Sequence, residues 1–557
     1  MRLRRLWPVP VVGLVAGLVT AVVWVLWPGR VTYTVGPETT YILGPGDRDG
    51  FIDYPRALND DMSRAVPADA NAVVLIVRAV GPKPDGFALP LDFFRWLEMT
   101  APPMQGTYFV GLFEYYRTRL LAPGTGQMKP IGLTEDKEDP PSRFASANDW
   151  QETVQRCARR PWQPADEPEV ADWLKGNETP LAVMIEASRR PKYFHPLNAT
   201  GSDAGTFRLI GQVMNTVQMT REAGTGLCAR AMARTTAGEY TAAWQDLMAC
   251  QRLGRVVATG STFIEVLVGI ALVDFATKAQ LALLGHADHP AERLRGWQAD
   301  VRGLRPFPAI ADKFDVADRF LCLDSVTAVI HGGGGGLELL AGLSGTPARQ
   351  TQARERLLNL SIDYDPAFRA VNRMCDRATA AARLSDRAAR QAEYERIQAD
   401  VAAWQTETAG VGLWTRVTMS ATERGEYVGK YIVTLLFPVL GRIQNAADRA
   451  EQGDANLHVA LALAAYRSDT GHYPVTLDEL APKHLPKVPG DLFSGAALVY
   501  RPTAAGYLLY SVGVNGRDDG GQWTDDEPPG DDLVAQVPLP APKPGVPVRR
   551  PPSGIDP

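Results

Sequence analysis

Apolar and polar positions along this chain fall mostly into blocks of helical period, broken by prolines and glycines, with strand-like alternation confined to short stretches. The first block is an unbroken apolar run from Val9 to Trp27, preceded by Arg2, Arg4 and Arg5. As a helix it would reach about 28 Å, the hydrocarbon thickness of a bilayer, so an uncleaved anchor is expected, with a cleaved signal peptide as the rival reading. Val31–Val35 and Thr39–Ile42 are β-rich. Asp47–Asp53 predicts a glycine turn ahead of a helix: placing Gly50 sixth in a calcium loop would put Pro45 first and Arg56 twelfth, where carboxylates are required. Asn71–Val80 and Leu91–Leu97 are apolar blocks, and residues 122–148 form a Gly-, Pro- and Asp-rich loop or insertion. Asp166–Leu174 and Pro180–Arg189 predict short helices. Leu227–Thr235 and Ala242–Leu253, joined at Gly238-Glu239-Tyr240, predict a helix–turn–helix in which Ala231, Tyr240, Ala243 and Leu247 resemble the packing positions of tetratricopeptide-type hairpins, without the full signature.

Phe263–Leu284 is apolar enough to suggest a second span, but Glu265, Asp274 and Lys278 inside it make a buried core helix the better expectation. His331 and the five glycines after it predict a flexible connector between helices, since no Lys-Ser/Thr follows to make a phosphate loop. Residues 350–408, rich in Ala, Arg and Glu, predict an exposed helix or helical hairpin. Tyr431–Leu440 is apolar but too short to span a membrane.

The C-terminal hundred residues are the most legible. Leu457, Leu461 and Ala464 recur at helical spacing, and Gly471 ends that helix. Thr476 and Glu479 form a capping box for a short helix, and Pro482, Pro486 and Pro489 forbid its continuation. Leu498–Arg501 and Tyr507–Val512 predict a β-hairpin across Thr503–Gly506. An acidic, glycine-rich stretch follows: Gly513–Gly521, Asp525–Glu527, Asp531 and Asp532. The tail Val537–Pro557 is Pro-rich and expected to be disordered.

The order helix, Ala462-Leu463-Ala464-Ala465-Tyr466-Arg467-Ser468-Asp469-Thr470-Gly471-His472-Tyr473-Pro474, hairpin and acidic loop resembles the globular end of type II secretion major pseudopilins. The resemblance starts near residue 430 and covers about a fifth of the chain. It implies calcium on the acidic loop, with Asp518, Asp519, Asp531 and Asp532 as candidate ligands; hard oxygen donors on a Gly-rich loop suit that ion. The leader-peptidase pattern is missing: no Gly13, Gly17 or Gly429 is followed by a hydrophobic run with glutamate five residues on. A borrowed domain is therefore expected rather than a fibre subunit. The whole layout resembles a family of bacterial membrane-anchored proteins, and that resemblance implies no reaction.

The expected fold class is mainly α with a small α+β C-terminal module: an N-terminal transmembrane helix, a helical, hairpin-array-like body, and a pseudopilin-like helix plus β-hairpin. The segments are 1–30 leader and anchor, 31–149 mixed region, 150–430 helical body, 431–535 pseudopilin-like domain and 536–557 tail. The Arg-rich leader places the N-terminus in the cytoplasm and the bulk of the chain outside, on the inner membrane. Among 557 residues, a net charge of -5 argues against nucleic acid as a partner. The expected partners are the membrane and proteins of the cell envelope or secretion machinery. Five dispersed cysteines, none in a CxxC pair, argue against zinc ribbons and redox motifs; most are expected to be small buried hydrophobes, and an odd count leaves at least one unpaired or intermolecular.

Reaction chemistry is weakly encoded. There is no GxSxG motif, and the one close histidine pair, His286 and His289, lacks the glutamate arrangement of a zinc protease and reads as a loop. The expectation is a non-enzymatic structural or interaction protein. The alternatives are a calcium-dependent binding module and a hydrolase whose site forms only in three dimensions.

Overall fold

The computed structural model describes residues 31–120, 144–197, 209, 215–343, 361–411, 418–437 and 440–540, less positions 48, 145, 524, 525 and 527. The expected anchor at 1–30, nearly all of the 122–148 loop, and the tail beyond 540 lie outside the described residues.

The fold is mainly helical with a small sheet near the C-terminus. In chain order the main elements are β1 (Val31–Thr32), α1 (Tyr54–Ser63), α2 (Ala72–Val80), α3 (Ala147–Arg159), α4 (Pro168–Gly176), α5 (Glu178–Ala187), α6 (Asn215–Thr236), α7 (Tyr240–Val257), α8 (Phe263–His286) and α9 (Ala291–Arg302). They continue as α10 (Arg319–Leu343), β2 (Ile362–Asp363), α11 (Asp365–Ala382), α12 (Arg387–Gly410), α13 (Ala421–Leu436), α14 (Leu440–Thr470), β3 (Val499–Pro502), β4 (Tyr507–Ser511) and β5 (Leu533–Val537). They assort into two compact units, each drawn from several stretches of sequence. Among the described residues, one gathers 31–58 with Leu197, Leu209 and those of 311–441; the other gathers those of 59–196, 215–310 and 442–540. The helical stretch 215–310 and the C-terminal sheet therefore share a unit.

In the first unit, α10, α11 and α13 pack together. Small residues set the approach of α13 to α11: a Cβ on Gly429 would stand 2.6 Å from the Ala367 Cα. Ser420 and Glu423 start α13 as a reciprocal capping box, with bonds of 3.2 and 2.7 Å. On α12, Tyr394, Ile397 and Val401 form one buried helical stripe, while Arg377 of α11 bridges Glu393 and Asp400 on its rim. The expected hairpin in 350–408 is thus α11–α12.

The N-terminal segment is stitched to this bundle by a buried arginine. Arg319 donates to Asn372 Oδ1 (3.1 Å), Asp376 Oδ1 (2.6 Å) and Asp315 Oδ1 (3.2 Å), and its guanidinium lies 4.3 Å from the centre of the Tyr41 ring. Asn372 in turn donates to the Thr39 carbonyl at 2.7 Å. Tyr41 holds φ +67, an uncommon conformation for an aromatic residue, fixed here by the arginine beneath it.

Two expectations are corrected in this unit. Thr39–Ile42 is not a strand; Thr39 and Thr40 are buried in a turn, where their hydroxyls donate to main-chain carbonyls at Gly36 and Ile42. β-Branched threonine serves a turn as readily when its hydroxyl replaces a backbone partner. The glycine run after His331 does not interrupt the helices either: α10 continues through it to Leu343. Glycine weakens a helix without breaking its hydrogen-bond ladder, and no proline is present to do so. The turn before α1 is as expected, with Gly50 at φ +85 and Asp47 Oδ1 accepting from Asp49 and Phe51.

In the second unit, α6, α7 and α8 pack against one another, α3 lies on α6, and α2 lies on α5. The α6–α7 hairpin expected from sequence is present, closed by Gly238 at φ +78. Asp246, 1% exposed, receives Arg230 at 2.7 Å and Arg234 at 2.6 Å across it. The caps of the other helices tie distant segments together: Asn71 starts α2, and its amide also exchanges two 3.0 Å bonds with the Phe194 backbone.

Helix α8 is long and apolar enough to cross a membrane, yet 72% of its most apolar window is buried within the protein. Glu265 is fully buried and accepts from Thr262 N–H at 2.8 Å, capping the helix; Asp274 and Lys278 pair at 2.7 Å. It is the core helix that its charges predict.

Helix α14 carries the C-terminal sheet. Leu457, Val459, Leu461 and Leu463 are all buried, so its apolar face is wider than the expected stripe; Ala464 is only half-buried. Gly471 at φ +86 ends it, with its N–H on the Arg467 carbonyl. Glu479 then accepts from Val475 and Thr476 to start the short helix Leu477–Leu480. The predicted hairpin is β3–β4, in a register pairing Tyr500 with Leu509. A third antiparallel strand, β5, was not expected: it pairs Tyr507 with Val537 and Ser511 with Leu533, so Val537 belongs to the sheet rather than the tail. Leu533-Val534-Ala535-Gln536-Val537 is too short and too close to the prolines to stand out as a strand. Asn456 of α14 donates to the Leu533 carbonyl at 2.9 Å and fixes β5 to the helix.

Candidate metal site

The acidic stretch is the loop joining β4 to β5, and the sheet holds its two ends together. Gly513 makes the turn out of β4 at φ +69, where any Cβ would sit 2.8 Å from the Asp531 carboxyl carbon. Only glycine allows the two ends to approach this closely.

Within the loop, backbone amides place the carboxylates. Asp532 is fully buried and accepts from Gly521 N–H at 2.7 Å and Asp519 N–H at 3.4 Å. Asp519 Oδ2 accepts from Asp531 N–H and from the Asn515 side chain, both at 3.0 Å. Asp531 Oδ2 accepts from Asn515 N–H at 3.0 Å and from Arg449 at 3.3 Å. Its other oxygen, Oδ1, is buried and has no hydrogen-bond partner. Asp519, Asp531 and Asp532 each offer an oxygen within 4.8 Å of the others.

The structure thus brings three of the four sequence candidates together. Asp518 points elsewhere: it accepts from the Tyr510 hydroxyl and from Gly520 N–H, each at 2.8 Å, which hold its carboxyl below the usual range. The residues that sequence reasoning missed are Asn515, which orients two of the carboxylates, and Arg449, a cation from α14 that partly neutralises Asp531. Their role depends on contacts across the loop, and no local motif announces them.

Burial pushes the Asp532 carboxyl up, despite two amides that favour its ionised form, and the Asp519 and Asp518 charges push the same way. Three crowded carboxylates with an unsatisfied buried oxygen fit a hard divalent cation such as Ca²⁺, with water or main-chain oxygen completing its shell. Asp491 is a contrasting case. It is buried beside β4, but Ser511, Val512, Phe493 and Ser494 fill both of its oxygens, so its role is to fix the sheet.

The close histidine pair does not converge. His286 is exposed at the end of α8, whereas His289 is buried between the Tyr240 and Trp297 rings, with Nε2 3.2 Å from the Leu283 carbonyl oxygen. In the first unit a cleft beside Tyr41 is lined by Glu38, Arg319, Arg369, Arg373 and Asp376. Its lining offers charge and hydrogen bonds, but no serine, cysteine or histidine nucleophile.

Comparison of the chain with protein-family models, curated proteins and solved structures returns no match.

Proposed function

We propose that this chain is a non-enzymatic, membrane-anchored structural or interaction protein of the cell envelope, with its bulk outside the cytoplasm and a pseudopilin-like C-terminal module. The observation that carries the reading is the order of that module: a long helix, a short capped helix, an antiparallel sheet, and an acidic loop closing two of its strands. The anchor is the Val9–Trp27 run. Alkaline carbonate washing should leave the full chain in the membrane pellet, while a chain starting at residue 31 should move to the supernatant. Added protease should digest the body only from the extracytoplasmic side. A full chain released by carbonate removes the anchor.

A second reading concerns the loop, favoured by the buried, unpartnered Asp531 oxygen: it binds calcium and thereby pins β5. Full chain melted in Ca²⁺ should unfold later than in chelator, by an amount reflecting about 2.7 kcal/mol at a hundredfold excess over Kd. Asp519→Asn or Asp531→Asn should abolish the shift, and Asp518→Asn should leave most of it. Identical melting with and without Ca²⁺ ends this reading and leaves the structural one standing.

A further inference from the structure

Four of the five cysteines meet in pairs. On the antiparallel helices α6 and α7, Arg230 and Arg234 reach Asp246, and Cys250 Sγ lies 3.7 Å from the Gly224 carbonyl oxygen. That register sets Cys228, one turn on from Gly224, opposite Cys250. In the other unit, Arg319 of α10 binds Asn372 and Asp376 of α11, and Cys322 and Cys375 each stand three residues beyond Arg319 and Asn372 on the same two packed helices. All four side chains are buried. Each pair lies within one unit. The spacing in sequence gives no hint of this pairing; helix register creates it.

We propose that Cys228–Cys250 and Cys322–Cys375 are two structural disulfide sites, one in each unit, which close when the chain folds under oxidising conditions. Where this happens in the cell rests on the extracytoplasmic reading above; which thiols pair rests on the helix packing alone.

The co-reactant is a disulfide: that of a dithiol–disulfide oxidoreductase in the cell, or oxidised glutathione in vitro. One cysteine thiolate attacks a sulfur of that disulfide, and the other sulfur leaves as a thiolate. The second cysteine then attacks the chain's own sulfur in the mixed disulfide and expels the remaining co-reactant thiolate. Two electrons and two protons pass from the cysteine pair to the co-reactant, which becomes a dithiol, or two glutathione thiols. In the packed protein, the neighbouring thiol and burial raise the Cys228 and Cys322 thiols well above their ordinary range, so little thiolate is available. Oxidation therefore belongs to folding, before the helices close, and the finished bonds are shielded from reductant.

The test is to refold the full chain from denaturant and reductant in a glutathione redox buffer, alkylate it under denaturing conditions and map the peptides by mass spectrometry. The expected result is two linked pairs, Cys228 with Cys250 and Cys322 with Cys375. Five alkylated thiols, or links between other cysteines, overturn the proposal. Cys228→Ala should remove only the first link and Cys322→Ala only the second. Reducing the oxidised chain should lower its melting temperature by on the order of 5–10 °C, and the double variant should show no such dependence on reductant. Chain alkylated at the moment of cell lysis tests location separately. Both links should be present; if they form on refolding but the cell-derived chain is wholly thiol, the pairing stands and the extracytoplasmic reading falls.

Discussion

Gly269→Ala should destabilise the second unit by about 2–3 kcal/mol, the opposite of what glycine-to-alanine does in an ordinary helix. Gly254 of α7 and Gly269 of α8 face each other where the two helices touch. A Cβ on Gly269 would run into the Gly254 carbonyl and stand 2.8 Å from the Ala258 nitrogen; a Cβ on Gly254 would stand 2.6 Å from the Gly269 oxygen. The obstructing atoms are main chain, so no side-chain rotation relieves the clash, and α8 must move away. It is not free to do so. Glu265 caps it from below, and Gln251 bonds Thr277 and Gln280 at 3.0 and 2.9 Å. Overpacking of this kind costs roughly 1–3 kcal/mol and more against backbone, offset by about 1 kcal/mol of improved helix propensity. Gly296→Ala is the control: that glycine is exposed within α9 and has nothing within 4 Å of its absent Cβ. It should stabilise by about 0.5–1 kcal/mol. Thermal or urea unfolding of the two variants should move in opposite directions. A neutral or stabilising Gly269→Ala would show that the helices do not meet along these glycines.

The same region shows where the sequence could be read and where it could not. Glu265, Asp274 and Lys278 were enough to place α8 inside the protein, because a charge costs more in lipid than in a core that can pair or cap it. Gly238 and the flanking apolar periods were enough for the α6–α7 hairpin. Nothing local, however, announces that Gly254 meets Gly269 or that Cys228 meets Cys250; both depend on the register of packed helices. The C-terminal module divides in the same way. Gly471, Thr476 and Glu479 act on their own neighbours and were legible, as was the β3–β4 hairpin. β5 was not, since its identity depends on pairing with β4 and on Asn456 reaching Leu533 from α14. In the acidic loop the residue types pointed to hard-cation chemistry. Amide positions then decided which carboxylates gather, and Gly520 and Tyr510 draw Asp518 away from the other three. At the N-terminus, Val31 and Thr32 pair with Ile362 and Asp363, far along the chain, and composition could not foresee that partner.

Asp318→Asn should stabilise the first unit at alkaline pH and do little at acidic pH. Asp318 is buried where α10 begins, 7% exposed, and burial pushes its carboxyl up to about 7. Its neighbour Arg319 does not neutralise it, because that guanidinium is bound to Asp315 and Asp376. In the unfolded chain the same carboxyl titrates near the ordinary aspartate value, about 3.9. Between those two values the folded protein holds a proton that the unfolded chain has lost. Stability therefore falls as pH rises from about 4 to about 7, and the full penalty is present above that window. The neutral amide keeps the shape and removes the charge. The gain from Asp318→Asn should thus be on the order of 2–4 kcal/mol at pH 8 and close to zero at pH 4. Denaturant unfolding of wild type and variant across that range measures the difference directly. A difference that is constant with pH would mean that Asp318 ionises in the fold as easily as in water, and that α10 begins at a wetter, less closely packed site than the one described.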